Sequence, residues 1–277
     1  MPLESDMKYQ AKTNEPDRAA VPKLSLRQVS KVFEARRGSV RALEPTDLDV
    51  REGEFLTIVG PSGCGKSTML MIGSGLETPS SGTIAVDGRP AGKPGPDRSV
   101  VFQQFALFPH LNVMRNIGYG LKVAGVKKSE RQDAVEQQIS VMGLDGFQKA
   151  YPSELSGGMQ QRVAIARALV LQPSLLFMDE PFGALDAQTR TQMQDEMARL
   201  RTRMTSTVLF VTHSVEEAVF LGTRIVVMSP RPGRIIADIP IAENAPWKGM
   251  AIEAAMGEPQ FNSLREEVWN LLHTKTE

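Results

Sequence analysis

Gly60-Pro61-Ser62-Gly63-Cys64-Gly65-Lys66-Ser67, followed by Thr68, decides how this chain is read. The stretch matches G-x-x-x-x-G-K-[ST] in full. Small residues let the backbone N–H groups of such a loop turn inward and ring a phosphate. A helix starting at Lys66 aims its positive dipole end at the same group. Lys66 is then placed to reach the β- and γ-phosphates of ATP, and the Ser67 hydroxyl to ligate Mg²⁺. Phe55 to Val59, just before the loop, is a continuous apolar run and reads as a strand buried on both faces. Cys64 has two readings. Near a helix N-terminus a thiolate is favoured; alternatively the residue is simply small enough for a tight loop.

Working outward, the chain has 277 residues, 41% of them hydrophobic and 23% charged, enough for a proper core. Lys+Arg and Asp+Glu both number 32, a balance that argues against non-specific nucleic-acid binding. Cys64 is the single cysteine, so no intrachain disulfide forms and a cytosolic compartment is expected. No apolar run approaches the ~20 residues needed to cross a bilayer, so any membrane role goes through a partner. Residues 1–22 are polar, lack the apolar stretch of a signal peptide and are expected to be a flexible tail.

Short strands are expected at Leu24 to Val29, Val40 to Leu43 and Leu48 to Val50, then at Gly82 to Asp87 and Ser99 to Phe102. The Pro/Gly-rich stretch Arg89 to Pro96 reads as a break between the last two. Phe105 to Ser156 changes to helical patterning, as at Ser129 to Met142, and reads as a helical insert. Strands at Leu175 to Met178, Thr207 to Val211 and Ile225 to Met228 then alternate with helices at Gly157 to Leu171, Ala187 to Met204 and Ser214 to Leu221. A terminal helix is expected at Gln260 to His273. Such alternation implies an α/β fold with a largely parallel core sheet.

Asp179-Glu180 follows the apolar strand Leu175 to Met178. Ligands in open α/β sheets bind at that edge. Asp179 fits a metal partner for Ser67, and Glu180 a general base that polarises an attacking water.

Between the two sites lies Leu155-Ser156-Gly157-Gly158-Met159-Gln160-Gln161-Arg162. In this order with the phosphate loop and Asp179-Glu180, it resembles the ATPase subunit of an ABC transporter, from about Leu24 to Ile239. The resemblance implies a P-loop NTPase core with an antiparallel β subdomain and an inserted helical subdomain. It implies a core over 23–240, the insert at about 105–160, and a C-terminal helical extension at 241–277. Gln103 matches the glutamine that touches Mg²⁺ or the attacking water and relays nucleotide state to the membrane partner. His213 matches the switch histidine that contacts the γ-phosphate. Phe33 lies where the family keeps an aromatic that stacks on adenine, with ordinary core as the alternative reading. Gly183 to Asp186 matches the loop that crosses between subunits. Ser156, Gly157 and Gly158 match the signature that grips the γ-phosphate of the opposite subunit. Two copies would therefore form two shared sites, head to tail. Met159 departs from the commonest residue at its signature position, glutamine, and Ser214 stands where aspartate is frequent.

Pro94 to Gln103, Asp179 to Arg190 and Met228 to Arg234 resemble the nitrate/sulfonate/taurine importer branch, while Leu107 to Val113 looks more like sugar, polyamine or metal-ion importers. The resemblance thus implies an ATPase that drives import of a small solute, an anion first among the options. Its partners would be a transmembrane permease and, indirectly, a substrate-binding protein. Its place would be peripheral, on the cytoplasmic face of the inner membrane. The apolar stretch Phe105 to Pro109 is the expected permease dock. A soluble ATPase acting on nucleic acid or ribosomes is the competing class; the long coiled coils or tandem cores of such proteins are lacking here. A regulatory module without hydrolysis would be expected to lack Glu180 or His213.

Overall fold

In the computed structural model, residues 21–35 and 38–273 are described. Most of the expected tail at 1–22 lies outside these residues. The described chain opens with two long antiparallel strands, β1 (Leu24–Ala35) and β2 (Gly38–Val50), which pair with each other. Three short strands were the sequence expectation. Register shifts between Leu26 and Val32 interrupt the apolar alternation, which hides the continuity of β1. Next come β3 (Phe55–Val59), α1 (Lys66–Ser74), β4 (Ser81–Val86), β5 (Arg89–Pro90) and β6 (Arg98–Val101). The insert supplies α2 (Val113–Ile117), α3 (Tyr119–Val123) and α4 (Lys128–Val141). Then follow α5 (Gly157–Leu169), β7 (Leu175–Asp179), α6 (Ala187–Arg201), β8 (Thr207–Thr212), α7 (Val215–Leu221) and β9 (Arg224–Met228). The chain closes with β10 (Ile235–Pro240), α8 (Ile252–Ala255) and α9 (Pro259–His273). The sequence patterning did not reveal β5, β10 and α8.

Among the described residues the strands form two sheets, a four-stranded one ordered β2-β1-β4-β5 and a six-stranded one ordered β10-β9-β3-β8-β7-β6. The six-stranded sheet is parallel except for β10, which runs antiparallel on β9. Its central strands are apolar on both faces, and their residues alternate between two cores. Leu56, Ile58, Leu175, Phe177, Leu209 and Val211 join the four-stranded sheet and α1. Phe55, Val59, Leu176, Met178, Val208 and Phe210 join the other helices. On the first side α1 comes close: a Cβ on Gly73 would lie 3.1 Å from the Phe177 ring.

The C-terminal segment shares the second core. Trp247 is buried, donates from Nε1 to the Val219 carbonyl at 3.3 Å, and meets Phe261 edge-on at 5.5 Å. The Asp195 carboxylate on α6 accepts from the Ile252 amide at 2.8 Å.

Cys64 is 1% exposed, packed with the first core, and burial pushes its thiol pKa up. The expectation of a thiolate is therefore corrected: desolvation disfavours the charged form more than the neighbouring Lys66 favours it. Native protein should resist iodoacetamide and become labelled at Cys64 only on denaturation, as read by mass spectrometry. Rapid labelling of the folded chain would contradict the burial. Trp247→Ala should cost about 3 kcal/mol, the scale for losing a large buried aromatic, and lower the urea midpoint; an unchanged midpoint would mean that the segment does not share the core.

Candidate active site

The phosphate loop leaves β3 and is shaped by close backbone approaches. Gly63 and Gly65 have φ of 75° and 103°, the left-handed region that suits glycine. A Cβ on Gly65 would lie 2.6 Å from the Ala42 carbonyl oxygen on β2. On its other side the loop meets the turn after β9: a Cβ on Gly233 would clash with the Cys64 carbonyl oxygen. The Gly233 amide donates to Ala42 and its carbonyl accepts from Glu44, so this turn bonds to β2. Arg231 donates from Nε to the Gly63 carbonyl at 3.1 Å. Lys66 is 3% exposed, and its Nζ donates to the Gly60 and Pro61 carbonyls at 2.9 and 3.1 Å. Ser62 and Ser67 are exposed, and Pro61 and Thr68 half-buried.

The acidic pair sits where β7 ends. Ser67 Oγ donates to Asp179 Oδ1 at 2.8 Å. Burial pushes the Asp179 pKa up, with the Ser67 bond opposing it. Glu180 turns out of the strand with φ 43° while its amide still donates to the Val211 carbonyl. That turn brings its carboxylate into the centre of the site. Glu180 Oε2 lies 2.9 Å from His213 Nδ1 and 3.5 Å from Gln103 Nε2, and Oε1 is 3.7 Å from Lys66 Nζ. The residues read as base, switch and relay are thus brought together beside the phosphate loop. Among the described residues no group of three or more His, Cys, Asp or Glu side chains is arranged to hold a metal. Ser67, Asp179 and Gln103 are oxygen donors that suit Mg²⁺, which is ordinarily held by one or two carboxylates and completed by substrate phosphates.

Phe33 lies on β1, is 40% exposed and has Lys31 Nζ 4.9 Å from its ring centroid. That excludes a core role and leaves the ring open to stack. Ser156 caps α5, its Oγ accepting from the Met159 amide at 3.3 Å. The atoms nearest a Cβ on Gly157 or Gly158 belong to Phe105, Leu185 and Thr189, not to the phosphate loop. A pocket of about 280 Å³ opens beside Ser156 and Gly158, lined also by Arg162 and Gln192. Asp186 caps α6, accepting from the Thr189 amide at 3.0 Å and hydroxyl at 2.7 Å. Those two bonds hold its pKa below the usual carboxylate range. Ser214 caps α7, so the departure from aspartate keeps the capping bond, here from the Glu217 amide at 3.2 Å.

Three participants escaped the sequence reading. Arg231 and Gly233 brace the phosphate loop; Met228 to Arg234 stood out there only as a mark of one importer branch. Arg167 on α5 donates to the Ala106 and Phe105 carbonyls at 2.7 and 3.3 Å, tying the signature helix to the segment after Gln103. Its guanidinium also lies 5.6 Å from the Phe108 ring, which contacts Tyr119 at 4.5 Å.

Comparison with known proteins shows the family. Residues 43–183 match the family model described as ABC transporter. The chain is 47% identical over 254 residues to the taurine import ATP-binding protein TauB of Rhizobium johnstonii, covering 91% of this chain and 97% of that one. It is 45% identical over 253 residues to the nitrate import ATP-binding protein NrtD of a Synechocystis species, covering 90% and 94%. Among solved structures, a dimeric post-hydrolysis state of the ATP-binding cassette MJ0796, bound to ADP and Pi, superposes with a TM-score of 0.71 at 32% identity, covering 79% of this chain and 99% of that one. By its motifs, its fold and these likenesses, the chain belongs to the ABC transporter family, as one of its ATP-binding subunits.

Proposed function

We propose that this chain hydrolyses ATP to drive import of a small anion of the nitrate, sulfonate or taurine kind through a separate membrane permease. The carrying observation is Glu180, whose carboxylate stands between His213, Gln103 and Lys66 at the edge where the phosphate loop begins. The names of the taurine and nitrate import relatives support the anion. Residues 23–240 serve as the ATPase core and 241–277 as a C-terminal extension, whose described part, 241–273, packs onto the core.

In this reading Lys66 leaves the Gly60 and Pro61 carbonyls and takes the β- and γ-phosphates of ATP. The loop amides from Gly60 to Thr68 hold the phosphates, and Phe33 stacks on the adenine. Ser67 and Asp179, with Gln103, would hold Mg²⁺, which would supply positive charge to the phosphate oxygens. Glu180 accepts a proton from water as the water oxygen bonds to the γ-phosphorus and the bond to ADP breaks, leaving ADP and phosphate. His213 steadies the γ-phosphate and orients Glu180. Ser156, Gly157 and Gly158 close over the nucleotide of a second copy, and Asp186 lies where the copies cross. The exposure of Ser156, Gly157 and Asp186, and the neighbours of Gly157 and Gly158, which are not phosphate-loop residues, support a head-to-tail pair.

The permease contacts the surface around Phe108 and Tyr119, and a substrate-binding protein delivers the anion on the far side. No described helix is long and apolar enough to cross a membrane, which fits a peripheral subunit on the cytoplasmic face of the inner membrane.

Glu180→Gln should lower ATP turnover at least ~10²-fold, the scale for losing a general base, and trap an ATP-bound dimer on size exclusion. Wild-type turnover would remove Glu180 from the base role. Loss of the gene should abolish uptake of labelled taurine, alkanesulfonate or nitrate and leave sugar uptake intact; the opposite pattern would overturn the anion assignment.

A further inference from the structure

His213 is the last member of the proposed catalytic cluster, yet its side chain is 53% exposed, with Nδ1 2.9 Å from Glu180 Oε2. What holds it lies behind it. Glu217, one turn into α7, is 5% exposed and bonded to both residues that flank His213. Its Oε2 accepts from the Thr212 hydroxyl at 2.5 Å, and its amide donates to Ser214 Oγ at 3.2 Å. The Ser214 amide in turn donates to Thr212 Oγ1 at 3.0 Å, closing the ring. The other carboxylate oxygen accepts from Gln194 Nε2 at 3.0 Å. Gln194 is on α6, the helix that begins at the intersubunit residue Asp186, and it is 6% exposed.

A buried carboxylate with no cation within bonding distance is costly, even when hydrogen-bonded. Burial pushes the Glu217 pKa up, with the Thr212 and Gln194 bonds opposing it and the titratable His213 and the charged Arg190 facing it. A leucine would occupy similar space without burying a charge. The gain from the carboxylate is therefore geometric: it fixes the end of β8 and the start of α7 against α6, and the residue between those points is His213.

We propose that Glu217 is a positioning residue for hydrolysis, which aims His213 at the reaction centre and ties that aim to the helix carrying Asp186. The proposal rests on His213 acting as the switch. The test is a double-mutant cycle read by steady-state ATPase kinetics, with nucleotide affinity measured separately by a fluorescent ATP analogue. Glu217→Gln and Glu217→Leu should each lower kcat roughly tenfold, within the range for a misplaced catalytic group, and leave KM and nucleotide affinity within about twofold. Glu217→Leu should retain or raise the melting temperature, because an apolar residue removes the buried charge. In a His213→Ala background, neither substitution should lower kcat further, because the group it aims is gone.

If kcat and melting temperature fall together in both variants, Glu217 is a packing residue only and the proposal fails. Full additivity with a slow His213→Ala would also overturn it while leaving the switch role standing. A His213→Ala enzyme at wild-type rate would overturn both.

Discussion

Everything at the site depends on the register of three parallel strands. Val59 on β3 pairs with Thr212 on β8, and Asp179 on β7 pairs with Val211. The strands end level, so the phosphate loop, the acidic pair and His213 leave the sheet at one edge. Parity does the rest. Leu175 and Phe177 face the core that contains α1, and Asp179 has the same parity. It therefore points to α1, where Ser67 waits at 2.8 Å. Glu180 has the opposite parity and would face away in a regular strand. Its left-handed φ of 43° turns it back, so the proposed base is placed by a departure from the strand. A slip of one residue would reverse both assignments and exchange the two cores.

The phosphate loop is held from outside as well as from its own strand and helix. Gly65 lies against β2, and Gly233 lies against Cys64. Because Gly233 also bonds to β2, the four-stranded sheet and the turn after β9 grip the loop together. This explains why Cys64, in the middle of a ligand-binding loop, behaves as a core residue. Its carbonyl and side chain face protein, and the other side of the loop is left for a ligand. Arg231 adds a cation on the Gly63 carbonyl, outside the ring of amides.

These facts sort what the sequence could reveal. The central strands were legible because each is apolar on both faces, a pattern that needs no knowledge of neighbours. The phosphate loop and Asp179-Glu180 were legible because their spacing is local and chemically demanding, whereas Gln103 and His213 were singled out only by the family resemblance. The helix starts at Ser156, Asp186 and Ser214 carry the side chains that cap helices. The length of β1 and β2 was hidden by bulges that break alternation. The short strand β10 sits at an edge with half-exposed residues, so it lacks a strong apolar signal. The docking of Trp247, the brace from Arg231 and the Gln194–Glu217 bond join residues 23 to 168 positions apart. Contacts of that kind are settled only when the chain has folded.

Capping also decides what the intersubunit residues have left to offer. A serine hydroxyl has one donor and two acceptor positions. Ser156 spends one acceptor position on the Met159 amide, so its O–H remains free to donate to an anion. The cap and the proposed phosphate contact therefore use different parts of one group, and the first fixes the direction of the second. Asp186 differs. Both its oxygens are engaged by Thr189 within the same turn. Its side chain is committed to starting α6, so what the crossing loop presents outward falls more to exposed Gly183 and Ala184. In the proposed head-to-tail pair, one half of the shared site would thus be aimed by the same bonds that begin the helices of this chain.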